Sequence, residues 1–181
     1  LCPRNCSRDH GAESRARGIR GLRMQPPPPR LACIPAVYLV PVRGKEVLLM
    51  RRANTGYADG FYSLIAGHLE EGETVFTAAC REAFEEAGLR LTPENLVLAH
   101  VGHRRREGGE HYDRIDFYFT LTDWEGEPFN NEPEKCDDMR WCPLDALPAN
   151  MVPAVRAALA NMFRREIIST FGFPPQPSAI T

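Results

Sequence analysis

The chain has 181 residues, of which 43% are hydrophobic and 25% are charged, and its formal net charge at pH 7 is −2. This length suits one domain with a single core, and no apolar run approaches the roughly 18 residues that a membrane-spanning helix needs. Residues 1–30 hold seven Arg against Asp9 and Glu13, so the remainder of the chain is acidic. An acidic domain binds duplex nucleic acid poorly, and we therefore expect a small phosphorylated ligand and no membrane partner.

The first thirty residues are predicted to be a disordered leader, because they are rich in Arg, Ser and Gly and end in four consecutive Pro. They lack the apolar core of a secretory signal. We expect Met24 to be the natural start, with the preceding residues a tag or upstream translation; a basic targeting presequence is the alternative. One folded domain is predicted over 31–173, followed by a loose tail over 174–181.

The six cysteines show no spacing typical of a metal site, so we expect reduced thiols in a cytoplasmic protein that is a monomer or a homodimer.

Strands and helices can be predicted along the folded part from its periodicity. Two apolar runs around Gly44 predict a hairpin, and a polar loop with two Gly precedes a short strand that leads into Gly67. Thr74 is a suitable N-cap and Gly88 a suitable left-handed residue for ending a helix. The predicted strands are 36–42, 46–52, 61–65, 96–101, 112–122 and 138–142; residues 103–110 are predicted to be a charged loop and 153–168 a second helix. This order predicts an α+β fold with a mixed sheet between helical layers.

Three glutamates, Glu82, Glu85 and Glu86, share one face of the first helix at positions i, i+3 and i+4. Like charges at this spacing destabilise a helix, so the cluster is best explained by a bound cation. Oxygen ligands without Cys or His favour Mg²⁺ or Mn²⁺ over zinc. A solvated Glu-rich surface helix is the alternative interpretation. An apolar stripe opposite the carboxylates is predicted from Phe76, Cys80, Ala83 and Ala87.

The segment around these glutamates resembles the signature of the Nudix hydrolases. The fixed positions that match are Gly67, Glu73, Arg81, Glu82, Glu85, Glu86, Gly88 and Leu89. The resemblance implies an α/β/α sandwich with a mixed central sheet that hydrolyses nucleoside diphosphates linked to another group, with a divalent metal. It also implies that Glu82, Glu85, Glu86 and the Gly67 carbonyl are the metal ligands, and that Glu73 and Arg81 form a structural pair.

Other parts of the site remain open at the level of sequence. Arg51 and Arg52 end the second strand, where one of them is expected to face substrate phosphates, since neighbouring strand residues point oppositely. Tyr62 and Tyr118 are predicted to stack on the substrate base, with Phe61 and Trp141 as further aromatic candidates. The general base is Glu85 or one of the loop and strand acids Glu107, Glu110, Asp113, Asp116, Glu132 and Glu134.

The substrate predicted first is a nucleoside triphosphate, cleaved to monophosphate and pyrophosphate, because the segment from Asp138 to Trp141 and on to Leu147 and Pro148 is similar to the C-terminal part of MutT-type members. The tryptophan- and proline-rich motif of the NADH branch is absent from the sequence. The alternatives are a nucleotide sugar, a dinucleotide or the 5′ end of RNA. A non-catalytic Nudix ligand sensor is the competing class, although such domains usually have a broken signature.

Overall fold

The computed structural model describes residues 31–106 and 111–175. The predicted leader, positions 107–110 of the predicted charged loop and most of the predicted tail lie outside these ranges. The strands are β1 (Cys33–Val40), β2 (Val42–Arg43), β3 (Glu46–Arg52), β4 (Tyr62–Ser63), β5 (Ile65–His68), β6 (Leu96–Arg104), β7 (Asp113–Leu121), β8 (Cys136–Pro143) and β9 (Ile168–Phe171), and the helices are α1 (Val75–Ala87) and α2 (Pro153–Phe163).

The strands form two sheets. The larger sheet has the order β5-β1-β7-β6-β9, in which the β1–β7 and β6–β9 pairs are parallel and the others antiparallel. In the smaller, antiparallel sheet β8 pairs along β3, while β2 and β4 pair with the two ends of β3. The predicted mixed sheet is therefore confirmed.

Two hydrophobic cores lie against the sheets, one beside each helix. Alternate residues of the strands divide between them, as the period of two requires. The core beside α1 contains Val37, Leu39, Leu48 and Met50, and that beside α2 contains Val40, Val47, Leu49 and Tyr118. This arrangement gives the predicted α/β/α layering. Within the described residues, neither helix has the length and apolarity that crossing a membrane requires.

The predicted first hairpin is wrong in its partners. Of the first predicted strand, only the end at Val42 pairs with β3, through β2 and a turn at Gly44, which has a φ of +62°. β1 instead lies in the other sheet between β5 and β7, parallel to β7. The tight turn was visible in the sequence, but the long-range partner of β1 was not, since that pairing depends on residues 65–68 and 113–120.

The second helix is shorter than predicted. It ends at Phe163, and Arg165 takes a left-handed φ of 59°. The last predicted helical residue, Ile168, begins β9, which pairs in parallel with β6. Likewise β6 runs through His103 to Arg104, residues that were predicted to lie in a loop. In each case pairing with a neighbouring strand overrides the local pattern.

Candidate active site

Helix α1 begins and ends where its capping residues predict. The Thr74 side chain accepts from the Thr77 backbone N–H at 3.2 Å, while the Thr77 hydroxyl accepts from the Thr74 N–H at 2.9 Å. Gly88 has a φ of +67°, and its N–H donates to the Phe84 carbonyl at 3.0 Å. A side chain is also excluded at Gly88, because a Cβ there would lie 2.1 Å from the Phe129 ring. The two caps therefore fix the residues at which the helix begins and ends.

The buried face of α1 differs from the predicted apolar stripe. Ala78, Ala79, Ala83 and Ala87 are fully buried, whereas Phe76 is 42% exposed and Cys80 is only partly buried. Glu82 is buried on the same side as the alanines. The prediction weighted large apolar side chains, but small alanines allow the helix to approach the sheet closely, and this approach brings the carboxylate inside.

Arg81 connects the helix to the loop before it. Its Nε and Nη2 donate to the two oxygens of Glu73 at 2.8 and 2.9 Å, and Nη2 also donates to the His68 carbonyl at 3.0 Å. Its Nη1 donates to Glu82 at 2.7 Å and to Glu85 at 3.0 Å. The hydrogen bonds from Arg81 lower the pKa of Glu73 to about 2. This bidentate pair holds the loop against the helix.

Glu82 approaches the backbone of Gly67 so closely that only glycine fits there. A Cβ built on Gly67 would lie 1.7 Å from the Glu82 carboxylate. Burial raises the pKa of Glu82, although the hydrogen bond and charge of Arg81 oppose this. Steric exclusion by Glu82 thus explains why the first residue of the signature is glycine, and the Gly67 backbone lies directly beside an acidic side chain.

Glu86 is the most strongly perturbed acid of the helix. It accepts from the Ala66 N–H of β5 at 2.9 Å. Burial raises its pKa to about 8, and the charges of Glu82 and Glu132 add to that increase. Buried carboxylates that raise each other's pKa in a cleft are typical of functional sites. The arrangement favours a bound cation chemically.

The predicted metal ligands do not converge in this structure. Among residues 31–106 and 111–175, no three Cys, His, Asp or Glu side chains form a group arranged to hold a metal ion. Glu82 and Glu85 are both engaged by Arg81, the Glu85 side chain is 51% exposed, and Glu86 is directed to Ala66. The carboxylate oxygens are ligands of the kind that Mg²⁺ or Mn²⁺ prefers. In this structure, however, Glu82 and Glu85 are positioned to pair with the Arg81 guanidinium.

A cavity of about 940 Å³ lies beside Gly67 and Glu86. Of the three glutamates, only Glu86 lines it. The charged residues of its wall are Arg51, Arg52, Glu86, Arg104, Arg114, Glu132 and Lys135. Cations thus outnumber acids on the described wall, as an anionic ligand requires.

Arg51 and Arg52 both border this cavity, although only one was predicted to face it. The pairing of β3 with β8 shifts register between them, which breaks simple alternation. The charge of Arg52 lowers the pKa of Glu86, and its Nε donates to the Tyr57 carbonyl at 2.8 Å. Arg51 instead donates to Asp137 at 2.6 Å. Arg52 is therefore the arginine nearer the acidic end.

Tyr62 and Tyr118 are each only 1% exposed, which contradicts the predicted stacking role. The Tyr62 hydroxyl donates to Asp138, and the Tyr118 ring stacks on Tyr38 with centroids 4.6 Å apart. Both tyrosines belong to the core beside α2, so neither ring is open to a ligand. Neither Phe61 nor Trp141 is among the described residues that line the cavity.

Sequence reasoning missed several residues of the cavity wall, including Lys135, Arg114, Tyr57 and Arg104. Tyr57 is 41% exposed on the loop between β3 and β4, and its position between Gly56 and Gly60 was the available signal. Arg104 is buried in an ion pair with Asp116 at 3.2 Å, but it had been placed in a loop because the charged run after His103 hid the strand.

The loop before β8 is attached to the C-terminal end of α1. The Phe129 N–H donates to the Ala87 carbonyl, and the Asn131 N–H to the Glu86 carbonyl, each at 3.1 Å. The Asn131 side chain donates to the Glu85 carbonyl at 3.0 Å. These bonds satisfy the carbonyls that a helix end leaves open, and they hold the following residue, Glu132, near the helix acids.

Comparison with known proteins identifies the class. Residues 34–164 match the NUDIX domain model, so the chain belongs to the Nudix family. Its fold also matches that of a solved Nudix hydrolase, as the signature predicted.

Particular relatives are informative as well. The chain is 32% identical over 148 residues to the NAD-capped RNA hydrolase NudC of Stutzerimonas stutzeri, covering 81% of this chain and 48% of that protein. It is 33% identical to the NudC of Pseudomonas aeruginosa, covering 74% and 43%. The chain spans about half the length of the curated relatives it matches. A MutT NUDIX hydrolase from Burkholderia pseudomallei superposes with a TM-score of 0.65 at 27% identity, covering 71% of this chain and 97% of that one.

Proposed function

We propose that this protein uses Mg²⁺ or Mn²⁺ to hydrolyse the pyrophosphate linkage of a nucleoside diphosphate joined to a second group. The observation that carries the proposal is a pair of neighbouring acids, the buried Glu82 against Gly67 and the half-buried Glu86, which lines a cavity whose wall also carries arginines and a lysine. A pyrophosphate needs both features, because its oxygens repel a nucleophile until their charge is neutralised.

The cation would be held by the Glu82, Glu85 and Glu86 carboxylates and the Gly67 carbonyl. When bound, it neutralises phosphate oxygens and lowers the pKa of a bound water. Glu82 and Glu85 must turn from Arg81 Nη1 to reach it, while Glu73 keeps Nε and Nη2 of the same guanidinium. Arg81 thus retains its loop contact in either arrangement.

Arg52 and Lys135 are the proposed phosphate-binding residues at the acidic end of the cavity, with Arg51 beside them. Arg52 is held by the Tyr57 carbonyl and the Thr55 hydroxyl at 2.8 and 3.0 Å, so its position is fixed without a carboxylate partner in these contacts. Lys135 lies 2.7 Å from Glu132. Positive groups fixed beside a reacting phosphate stabilise the developing charge.

Glu132 is the general base that the geometry favours. It lines the cavity, and it follows Asn131, which donates to the carbonyls of Glu85 and Glu86, so it lies near the helix acids. Asp113 accepts from the Arg106 backbone N–H, and Asp116 pairs with Arg104. Of the other acids considered, Glu134 is not among the described residues of the wall, and Glu107 and Glu110 lie outside the described ranges.

Two substrate classes follow. A nucleoside triphosphate is the one that the sequence favoured first. A dinucleotide diphosphate, free or at the 5′ end of RNA, is favoured by the NudC relatives, which align over most of this chain even though it lacks the tryptophan- and proline-rich motif of the NADH branch. The volume of about 940 Å³ supports this choice, because it lies near the top of the usual range for ligand pockets.

The experiment is a turnover panel with Mg²⁺: NAD⁺, ATP, a nucleotide sugar, NAD-capped RNA and 5′-triphosphate RNA, with products separated by chromatography. We expect NAD⁺ or NAD-capped RNA to be cleaved between the two phosphates, with slower release of pyrophosphate from ATP. Faster ATP cleavage returns the substrate to the triphosphate class. Binding of these compounds without turnover in Mg²⁺ or Mn²⁺ would contradict the enzymatic proposal in favour of a ligand sensor.

A further inference from the structure

The loop over residues 53–61, between β3 and β4, presents an aromatic ring to the cavity. Tyr57 is 41% exposed and lines the cavity, in contrast to the buried Tyr62 and Tyr118. Tyr38 also lines it, but its ring is stacked on Tyr118. Tyr57 is therefore the tyrosine of the described wall that combines contact with the cavity and substantial exposure.

Two arginines flank the Tyr57 ring. The Arg52 guanidinium lies 5.5 Å from the ring centroid, and Arg104 Nη1 donates to the Tyr57 hydroxyl at 3.4 Å. Arg52 acts on Glu86 at the acidic end, while Arg104 is paired with Asp116. The ring thus lies between the proposed phosphate-binding arginine and a second cavity arginine, Arg104, whose guanidinium offers hydrogen-bond donors. This combination suits a nucleobase, which stacks by its face and hydrogen-bonds by its edge.

The loop that carries Tyr57 is held in a single conformation by Asp59. The Asp59 carboxylate accepts from the Thr55 N–H at 3.0 Å, the Thr55 hydroxyl at 2.6 Å and the Gly56 N–H at 3.1 Å. These hydrogen bonds, chiefly that of the Thr55 hydroxyl, lower the pKa of Asp59. The carboxylate therefore stays ionised at neutral pH, and it continues to accept these three hydrogen bonds.

Backbone strain in the same loop supports a positioning role. Asn54 and Ala58 have φ values of 55° and 50°, in the left-handed region that a side chain disfavours. Ala58 packs against the core beside α2, and the Gly60 N–H donates to the Arg52 carbonyl at 2.8 Å. Such conformations persist only when surrounding contacts impose them, and they concentrate at ligand sites.

We propose that Tyr57 is the surface on which the nucleobase of the substrate stacks, and that Asp59 is a positioning residue that holds Tyr57 there. The proposal rests on the proposed function for the identity of the ligand as a nucleotide. It adds a base-binding subsite on a loop that precedes the Nudix signature.

The test measures binding rather than turnover, so that it is independent of the hydrolytic step. Calorimetric titration in Mg²⁺ compares ribose 5-phosphate with whichever of AMP, GMP, CMP and UMP binds most tightly; the two probes differ only by the base. The variants are Tyr57→Leu, Tyr57→Phe and Asp59→Asn. Phe61→Leu is the matched control, because Phe61 is 40% exposed on the same loop and is not among the described cavity residues.

We expect Tyr57→Leu to weaken mononucleotide binding at least about fivefold, the scale of base–aromatic stacking, and to leave ribose 5-phosphate binding unchanged. Tyr57→Phe and Phe61→Leu should bind like wild type, and Asp59→Asn should weaken the mononucleotide more than ribose 5-phosphate, whose binding depends on Asp59 only through the Thr55 contact with Arg52. The proposal is overturned if Tyr57→Leu weakens both probes equally or neither, or if no mononucleotide binds wild type better than ribose 5-phosphate. Tyr57-dependent binding without turnover of the substrate panel would keep this subsite and reject the hydrolytic function.

Discussion

Two arginine clusters lie in the functional region, and they use the same side chain for different purposes. Arg81 directs all five of its N–H donors to protein oxygens: two to Glu73 and one each to Glu82, Glu85 and the His68 carbonyl. A guanidinium saturated in this way acts as a clamp. It fixes the loop and helix relative to each other and has no further donor for a ligand.

Arg104 has a different environment. Its Nε donates to Asp116 and its Nη1 to the Tyr57 hydroxyl. The Arg104 side chain lines the cavity, whereas Arg81 is not among the described residues of the cavity wall. Both arginines have acidic partners and little exposure, so burial and charge alone do not separate a structural arginine from a ligand-binding one. What separates them is where the donors point.

The largest effect expected at the Arg81 cluster is the loss of turnover when the divalent cation is removed. Excess EDTA is expected to abolish turnover, because without the cation the carboxylates around Arg81 would repel the substrate phosphates and no metal-bound water would be available. Added Mg²⁺ or Mn²⁺ should restore the rate, and Zn²⁺ should do so poorly, since no thiol or imidazole is among the proposed ligands. Undiminished turnover in the chelator would contradict the metal-dependent mechanism.

Glu85→Gln should lower turnover at least about 10²-fold, the usual scale for losing a key catalytic group. The change is nearly isosteric, and it removes a half-exposed ion pair with Arg81, which contributes little stability. The melting temperature should therefore stay within a few degrees of wild type. Steady-state rates and thermal unfolding of the same preparation test this. Wild-type turnover would show that the proposed cation site lies elsewhere.

Exchanging each arginine for lysine sharpens the comparison directly, because lysine keeps the charge and loses the planar fork. Arg81→Lys should lower both the melting temperature and kcat, since three donors cannot replace five. Arg104→Lys should mainly raise KM, by about tenfold, with a smaller loss of kcat. Equal patterns in the two variants would contradict the distinction between clamp and ligand-binding residue.

The smallest effect concerns the pH dependence of the Glu73–Arg81 pair. The folded pKa of Glu73 is depressed from 4.5 to about 2, so its contribution to stability is present above pH 4.5 and is lost as pH falls toward 2. Glu73→Gln has no such carboxylate. The difference in unfolding free energy between wild type and Glu73→Gln should therefore shrink as pH falls through that window. A constant difference across it would mean that the pair does not shift the pKa as described.

Local chemistry was predictable from the sequence. Thr74 and Gly88 mark the ends of α1 because capping depends only on neighbouring residues, and the ion pair of Glu73 and Arg81 follows from the same segment. In β7, Phe117 and Phe119 pack in the core beside α1 and Tyr118 in the core beside α2, which is the alternation that a strand requires.

Features that depend on distant residues were not predictable. The burial of Glu82 requires the close approach of Gly67, and the burial of Tyr62 and Tyr118 requires α2 to cover them. β9 forms because β6 offers it an edge. Tyr57 lines the cavity through contacts of its loop with Arg52 and Arg104, whose positions the local pattern does not contain.

The attachment of Phe129 and Asn131 to the end of α1 limits how far the Nudix segment can be treated as a transplantable module. The carbonyls of Glu85, Glu86 and Ala87 are satisfied by a loop some forty residues further along the chain. Grafting residues 67–89 onto another scaffold would transfer the acids, but it would leave these carbonyls without the N–H groups that donate to them here. The recipient would need a loop that presents two backbone N–H groups and an asparagine side chain to this end of the helix, so the smallest portable unit of this site is discontinuous in sequence.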